Sequence, residues 1–394
     1  MIPRFGQSSA PSASASPNPA RDFQGKVFVT GATGHLGANL VRRLLADGKD
    51  VRVLLEPGAN AEAVAGLPVE RVTGDITDLA ALEKAMHGCR QAFHVAAIIS
   101  TVVPSPAVER RLFEVNVLGT QNLLRIAKHQ GMDRVVVTGS FSANGFDREH
   151  PHAPADETVT HYPFDEVLPY SRTKVLVEHE VLKAAVEGLD VVIATSCAVL
   201  GPHDYLPSRM GRTLVDFAHG KLRAYVPGGF EFIAARDIAE GHVLAMQRGR
   251  SGQKYVFSSR FVSIDEMMAI WQRVTGHAKP KLRLPPPIMA GVAEVTSFVL
   301  DRVAPNVPQR LTPAAVRILR SQRRADTSKA RGELGFRPTA IEDAIQEGFD
   351  DFVRRGLAPR GPVRVRESFA PSSAAAPAPA SPAAGQAETR EATA

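Results

Sequence analysis

Lys26-Val27-Phe28-Val29-Thr30-Gly31-Ala32-Thr33-Gly34-His35-Leu36-Gly37 is the stretch that decides the fold of this chain. Its first five residues are mostly apolar and β-branched, as in a buried strand, and from Leu36 to Leu45 apolar residues recur at helical spacing. Between the two stand Gly31, Gly34 and Gly37, at i, i+3 and i+6. A strand that turns through glycines into a helix brings free backbone N–H groups and the positive end of the helix dipole to one point. The missing side chains let the backbone come close to a pyrophosphate. Gly31, Thr33, Gly34, His35, Leu36 and Gly37 are therefore candidate phosphate contacts; a glycine turn with a purely structural role is the competing reading.

Outward from this turn, short β-rich runs alternate with amphipathic helical runs. Strands are expected at Val51–Leu55, Val69–Val72, Gln91–Val95, Arg134–Thr138 and Val191–Thr195, and helices at Leu79–Met86, Val108–Gln130 and Tyr170–Val186. Such alternation predicts an α/β fold, a Rossmann-type doubly wound parallel sheet. After Gly201-Pro202 the alternation weakens and Pro and Gly become common, which predicts a smaller C-terminal substrate lobe. The expected organisation is a tail over 1–24, a dinucleotide-binding core over 25–202, a region over 203–358 that is mainly lobe with segments returning to the core, and a tail over 359–394. Both tails are rich in Pro, Ala and Ser and are expected to be disordered. Ile288–Val303 reads as a core or lobe helix, with a membrane-surface helix as the alternative.

Composition narrows the function. The 394 residues are 44% hydrophobic and 22% charged, ordinary globular usage. The net charge of +6 is scattered, and the densest basic cluster, Arg320, Arg323 and Arg324, reads as a solvated helix end, so nucleic acid is not an expected partner. Two cysteines, Cys89 and Cys197, are too few for a disulfide framework and too far apart for a metal-ligand spacing. No metal is expected, and a reducing, cytoplasmic setting is. No run reaches the ~20 apolar residues of a transmembrane helix. A homodimer is compatible with this reading, and the expected partner is a small-molecule substrate.

Tyr170-Ser171-Arg172-Thr173-Lys174 opens a predicted helix and puts Tyr170 and Lys174 at i and i+4 on one face. Carbonyl reduction needs a proton donor beside the carbonyl oxygen, and a free phenol, with a pKa of about 10, needs help from a neighbouring cation near neutral pH. With its TGxxGxxG turn and this YxxxK, the chain resembles an extended short-chain dehydrogenase/reductase. Motifs of that family match from Thr30 to Pro338. The resemblance implies a nicotinamide dinucleotide cofactor, Tyr170 as proton donor, and Lys174 tuning the phenol and holding the nicotinamide ribose.

Other positions acquire roles from the same resemblance. Ser140, in Thr138-Gly139-Ser140-Phe141-Ser142, is the expected hydroxyl on the substrate oxygen, although Gly139 replaces the commoner first serine; Ser142 is a second polar candidate. Asn116, in an NxxGT motif, supports the active-site helix or a relay water. Asp75 and Ile76, in Gly74-Asp75-Ile76, are expected at the adenine, with Asp78 capping the next helix. Ala96 and Ala97 belong to a fourth-strand segment that lies against the cofactor. Ser196 stands where the family's NPxxxxGP strand end touches the nicotinamide; only its Gly201-Pro202 survives. Asp237 is expected to cap the helix after Phe232-Ile233-Ala234-Ala235. Glu56, one position beyond the family's usual acidic residue, opposes a 2′-phosphate, so NAD(H) is favoured while NADP(H) is not excluded.

The resemblance is closest to the dihydroflavonol-reductase-like and 3β-hydroxysteroid-dehydrogenase-like branch. It implies a dehydrogenase/reductase interconverting a carbonyl and a secondary alcohol on a steroid-, terpenoid- or flavonoid-like molecule. A nucleotide-sugar epimerase or dehydratase, with Arg209, Arg212 and Arg223 facing a diphosphate, is the first alternative. A dinucleotide-sensing binding protein is the second.

Overall fold

The structure, a computed structural model, describes residues 16–100, 105–146, 149–150, 152–159, 168–284 and 319–362. Seven parallel strands form the central sheet: β1 (Val27–Thr30), β2 (Val51–Leu55), β3 (Glu70–Thr73), β4 (Gln91–His94), β5 (Arg134–Ser140), β7 (Val191–Ser196) and β11 (Lys254–Phe257). Their spatial order is β11-β7-β5-β4-β1-β2-β3. Between β1 and β4 the direction of winding reverses, and such a switch point opens a ligand crevice at the carboxyl ends of the strands. The register places Thr30 opposite both Leu54 and His94, so the residues that follow β1, β2 and β4 converge there.

The strands are apolar because both faces are covered. On one face α1 (His35–Ala46) and α7 (Ala235–Arg248) pack Leu40, Leu44, Ile238 and Val243 onto Val27, Val29 and Val192. On the other, α2 (Leu79–Met86), α4 (Gly119–His129) and α5 (Pro169–Val186) pack Leu82, Leu123, Leu124, Val177 and Val181 onto Phe28, Val135 and Val191. Burying each such side chain contributes about 1.5–3 kcal/mol. The helix expected over Val108–Gln130 is continuous but irregular. Its parts are α3 (Pro106–Phe113), a π-helical turn (Glu114–Leu118) and α4. Asp78 caps α2, accepting from the Ala81 N–H at 3.1 Å. Asp237 does not cap α7: Ala234 is its N-cap, and Asp237, in the first turn, accepts instead from the Thr339 N–H at 2.7 Å.

The lobe is built on three strands in the order β12-β10-β8, from β8 (Ala198–Leu200), β10 (Gly229–Ala234) and β12 (Arg260–Ser263). Helices α6 (Arg209–Ala218), α8 (Ile264–Thr275) and α9 (Ile341–Arg354) pack on it around Trp271, Phe217, Phe232 and Phe349. Trp271 meets the edge of Phe217 with ring centroids 5.6 Å apart. Among the described residues there are also two-residue strands: β6 (Pro154–Ala155) pairs with β14 (Arg324–Ala325), and β9 (Ala224–Tyr225) with β13 (Leu282–Arg283).

Of the expected N-terminal tail, residues 1–15 lie outside the described residues, but 16–24 run along the core. The Asn18 N–H donates to Glu333 O at 2.7 Å, the Arg21 N–H donates to Gln247 O at 2.9 Å, and Phe23 is buried against Phe93. Of the expected C-terminal tail over 359–394, residues 359–362 are held against the lobe, the Gly361 N–H donating to Thr275 O at 2.8 Å and Arg360 to Asp350 at 2.6 Å. The rest of it, from 363 onward, and the helix expected over Ile288–Val303 lie outside the described residues. Among the described residues no helix is long and apolar enough to cross a membrane.

Candidate active site

The glycine turn is built as its chemistry requires. Gly31 has φ +71°, and a Cβ there would lie 2.6 Å from the Ala96 nitrogen; a Cβ on Gly37 would lie 2.1 Å from Gly31 O. Both glycines are demanded by packing. Gly34 differs, because its Cβ would meet only Gly31 O, at 3.5 Å, and would otherwise enter the cavity. Gly34 is also the N-cap of α1, without a side-chain cap and without an acidic residue in the first turn. The first N–H groups of α1 are thus left for a ligand, and the empty space at Gly34 fits a pyrophosphate.

One cavity of about 810 Å³ gathers Gly31, Thr33, Gly34, His35, Leu36, Gly37, Glu56, Asp75, Ile76, Ala96, Ala97, Ser140, Tyr170, Lys174 and Ser196. Asn116 is not on its wall. The imidazole of His35 contacts Pro202 O at 3.1 Å, where the Asn39 amide also donates at 2.9 Å. The Ser196 hydroxyl donates to Cys197 O at 2.9 Å. Burial pushes the Cys197 thiol up, so it is a packed, protonated thiol.

Lys174, on α5, is buried, and its Nζ donates to Thr138 O on β5 at 2.9 Å. Burial lowers its pKa to about 8, opposed by the Glu178 carboxylate. Tyr170, one turn earlier, is half-buried; burial raises its pKa, opposed by a hydrogen bond with the Ser140 hydroxyl. Ser140 Oγ lies 2.9 Å from Ser142 Oγ at the end of β5. Gly139 has its own reason to replace serine. A Cβ there would lie 2.5 Å from the hydroxyl of Thr195 and 2.8 Å from Ile193 Cγ2, on β7.

A buried chain of hydrogen bonds ties the glycine turn to the tyrosine helix. The Val95 and Ala96 N–H groups both donate to Thr30 Oγ1 at 3.2 Å, and Thr30 Oγ1 lies 2.8 Å from His94 Nδ1. His94 Nε2 lies 2.9 Å from Thr120 Oγ1, which donates its own proton to Asn116 O at 2.6 Å. The His94 Nε2 must therefore be the donor and Nδ1 the acceptor. Asn116 Nδ2 donates to Ile98 O at 2.9 Å and to Thr173 Oγ1 at 3.1 Å, and the Thr173 hydroxyl donates to Tyr170 O at 2.7 Å. Burial, with the nearby Lys174 cation, lowers the His94 pKa to about 3. His242 is likewise held near 4 by burial; its Nδ1 donates to Ile238 O and its Nε2 accepts from Thr138 Oγ1, each at 2.8 Å. Two neutral imidazoles thus flank the cation.

Sequence reasoning missed this chain, and it missed Arg111. The Arg111 guanidinium, on α3, lines the same cavity and bonds Asp75 at 3.0 Å, with Glu56 at 3.6 Å. Asp75 also accepts from the Thr77 N–H at 2.8 Å and its hydroxyl at 2.7 Å. Those bonds and Arg111 outweigh burial and hold the Asp75 carboxyl below its ordinary pKa.

A model of the NAD dependent epimerase/dehydratase family matches residues 27–257. The chain is 40% identical over 330 residues to "Sterol demethylase protein B" of Methylococcus capsulatus, covering 84% of this chain and 99% of that protein. It is 28% identical over 356 residues to "3beta-hydroxysteroid-dehydrogenase/decarboxylase isoform 2" of Arabidopsis thaliana, covering 82% of this chain and 61% of that protein. Among solved structures, that of gox2253 superposes with a TM-score of 0.73 at 29% identity, covering 84% of this chain and 99% of the other. With the parallel sheet and its glycine turn, these likenesses show that the chain belongs to the NAD dependent epimerase/dehydratase family and is an extended short-chain dehydrogenase/reductase.

Proposed function

We propose that this oxidoreductase interconverts a carbonyl and a secondary alcohol on a small, largely apolar molecule, with NAD(H) as its favoured redox partner and Tyr170 as proton donor. The observation that carries the reading is that Ser140, Tyr170 and Lys174 share one cavity with the glycine turn. The free N–H groups of the first turn of α1, which follows Gly34, would hold the pyrophosphate, Lys174 the nicotinamide ribose, and Glu56 the adenosine ribose. When bound, NAD(H) supplies or takes up the hydride.

The remaining work falls to the chain itself. The Ser140 hydroxyl donates to the substrate oxygen and orients it. Burial keeps the Tyr170 phenol protonated in the resting site, which suits a donor. As the carbonyl is reduced, its oxygen takes the Tyr170 proton, and the Lys174 ammonium lowers the cost of the phenolate left behind. In the reverse direction Tyr170 takes the proton from the alcohol. The chain from Thr30 to Thr173 holds the two halves of the site in register.

Ile98, Ile99, Phe141, Phe146, Val199 and Phe230 line the cavity and favour an apolar skeleton. The sterol and hydroxysteroid names of the two relatives point the same way. Arg209, Arg212 and Arg223 are not on the cavity wall, and Arg323, which is, donates to the carbonyls of Asn144 and Gly145, which disfavours a nucleotide-sugar diphosphate. Two buried, unpaired cysteines support a reducing compartment such as the cytoplasm.

The test is turnover. A panel of 3-oxosteroids and terpenoid ketones is incubated with NADH while its absorbance is followed, and a nucleotide sugar is offered in parallel. Ketone-dependent loss of NADH is expected. Epimerisation of the nucleotide sugar with no ketone reduced would overturn the reading.

A further inference from the structure

Glu56 directly follows β2, where an acidic side chain meets the 2′-hydroxyl of an adenosine ribose and repels a 2′-phosphate. Yet Glu56 does not stand alone. The Arg111 guanidinium reaches it from α3, 55 positions along the chain, and at the same time bonds Asp75 and lies 4.0 Å from Glu114. Three carboxylates therefore share one cation on the cavity wall. Glu56 is 69% exposed and Arg111 38% exposed, so their pairing is screened by water and adds little net stability. It is easily exchanged for a stronger one. A phosphate dianion offers a guanidinium two parallel charge-assisted hydrogen bonds, a better partner than a solvated carboxylate at 3.6 Å.

We infer that Arg111 is a cofactor-specificity residue: it neutralises Glu56 when NAD(H) is bound and turns to the 2′-phosphate when NADP(H) is bound, so that the site prefers NAD(H) without excluding NADP(H). This rests on the dinucleotide reading proposed above. Asp75 keeps its Thr77 hydrogen bonds when Arg111 moves, so the exchange leaves no buried carboxylate bare.

The experiment is calorimetric titration of the full chain with NAD⁺ and NADP⁺, for wild type, Arg111→Gln, Arg111→Lys, Glu56→Gln and the double variant Arg111→Gln/Glu56→Gln. Wild type is expected to bind both, NAD⁺ more tightly. Arg111→Gln should widen the ratio of the two dissociation constants about tenfold or more, from loss of the charge-assisted bonds. Arg111→Lys should widen it less, and Glu56→Gln should narrow it. In the double variant Glu56→Gln should narrow the ratio relative to Arg111→Gln alone, because a Glu56 left without its cation repels the 2′-phosphate. An unchanged or narrowed ratio in Arg111→Gln, or NAD⁺ binding without detectable NADP⁺ binding in wild type, would overturn the role of Arg111. Should Arg111→Gln fail to fold, the Lys variant and Glu56→Gln decide by the same ratio. Failure of wild type to bind either dinucleotide would instead overturn the dinucleotide reading itself.

Discussion

Asn116 donates a 3.1 Å hydrogen bond to the hydroxyl of Thr173, three residues beyond the tyrosine whose carbonyl that hydroxyl in turn engages. The same amide closes a pair of bonds with the Ile98 backbone, at 2.8 and 2.9 Å, so one buried side chain joins the segment after β4 to the start of α5. Asn116→Ala should strip that link and leave the Ile98 groups unpaired, a loss of about 1–3 kcal/mol. Denaturant unfolding should show a lower midpoint, and turnover should fall while the dissociation constant for NADH changes less. Unaltered stability would contradict the role given to the amide.

Gly34 and Gly37 should behave as opposites. Gly34→Ala puts a methyl into the cavity with its nearest contact at 3.5 Å, so the fold should survive while dinucleotide affinity drops. Gly37→Ala drives its methyl to 2.1 Å from Gly31 O and should lower the melting temperature. Thermal melts and NADH titration of the two variants separate these outcomes; a Gly34→Ala protein with unchanged affinity would place the pyrophosphate elsewhere.

How readily these features are read from sequence depends on distance along the chain. The glycine turn and the Tyr170–Lys174 spacing are local patterns, each dictated by one strand-to-helix turn or one helix face, and both are plain in the sequence. Thr30 and His94 are 64 positions apart and Arg111 and Asp75 are 36 apart, so nothing in local spacing announces either pair. The π turn at Glu114–Leu118 was hidden as well, since apolar periodicity predicts one regular helix through it. The path of residues 16–24 was obscured by their Pro- and Ala-rich neighbours, although Phe23 is the apolar anchor that composition averaged away.

His94 and His242 carry pKa values of about 3 and 4 in the folded protein, below the 6.5 of a free imidazole. Both are therefore neutral when folded, whereas the unfolded chain takes up protons at these sites once the pH falls below about 6.5. Their contribution to stability is fully present above that value and is lost progressively as the pH falls toward 4 and then 3. At pH 5 the loss is of the order of 2 kcal/mol per histidine. Urea unfolding at pH 8, 6.5 and 5 is expected to show little change across the first interval and a fall across the second. A His242→Asn variant should show a shallower fall, and an equal slope in that variant would contradict the assignment.

Lys174 should lose its proton near pH 8 in the free protein. The cation is proposed to hold the nicotinamide ribose, so NADH affinity should decline as the pH rises through that region. Lys174→Met should bind more weakly and show a flatter profile over the same range. A wild-type profile flat from pH 6.5 to 9.5 would remove the ribose contact from the role of Lys174.

Tyr170→Phe tests the proton-transfer mechanism most directly, because it deletes one oxygen and keeps the ring. With a ketone substrate identified, NADH titration and steady-state turnover are measured on the same preparation of wild type and variant. The expected result is a dissociation constant for NADH within about threefold of wild type and a turnover lowered by about 100-fold or more, the scale of a lost general acid. Near-full turnover in Tyr170→Phe would contradict the assignment of Tyr170 as the proton donor.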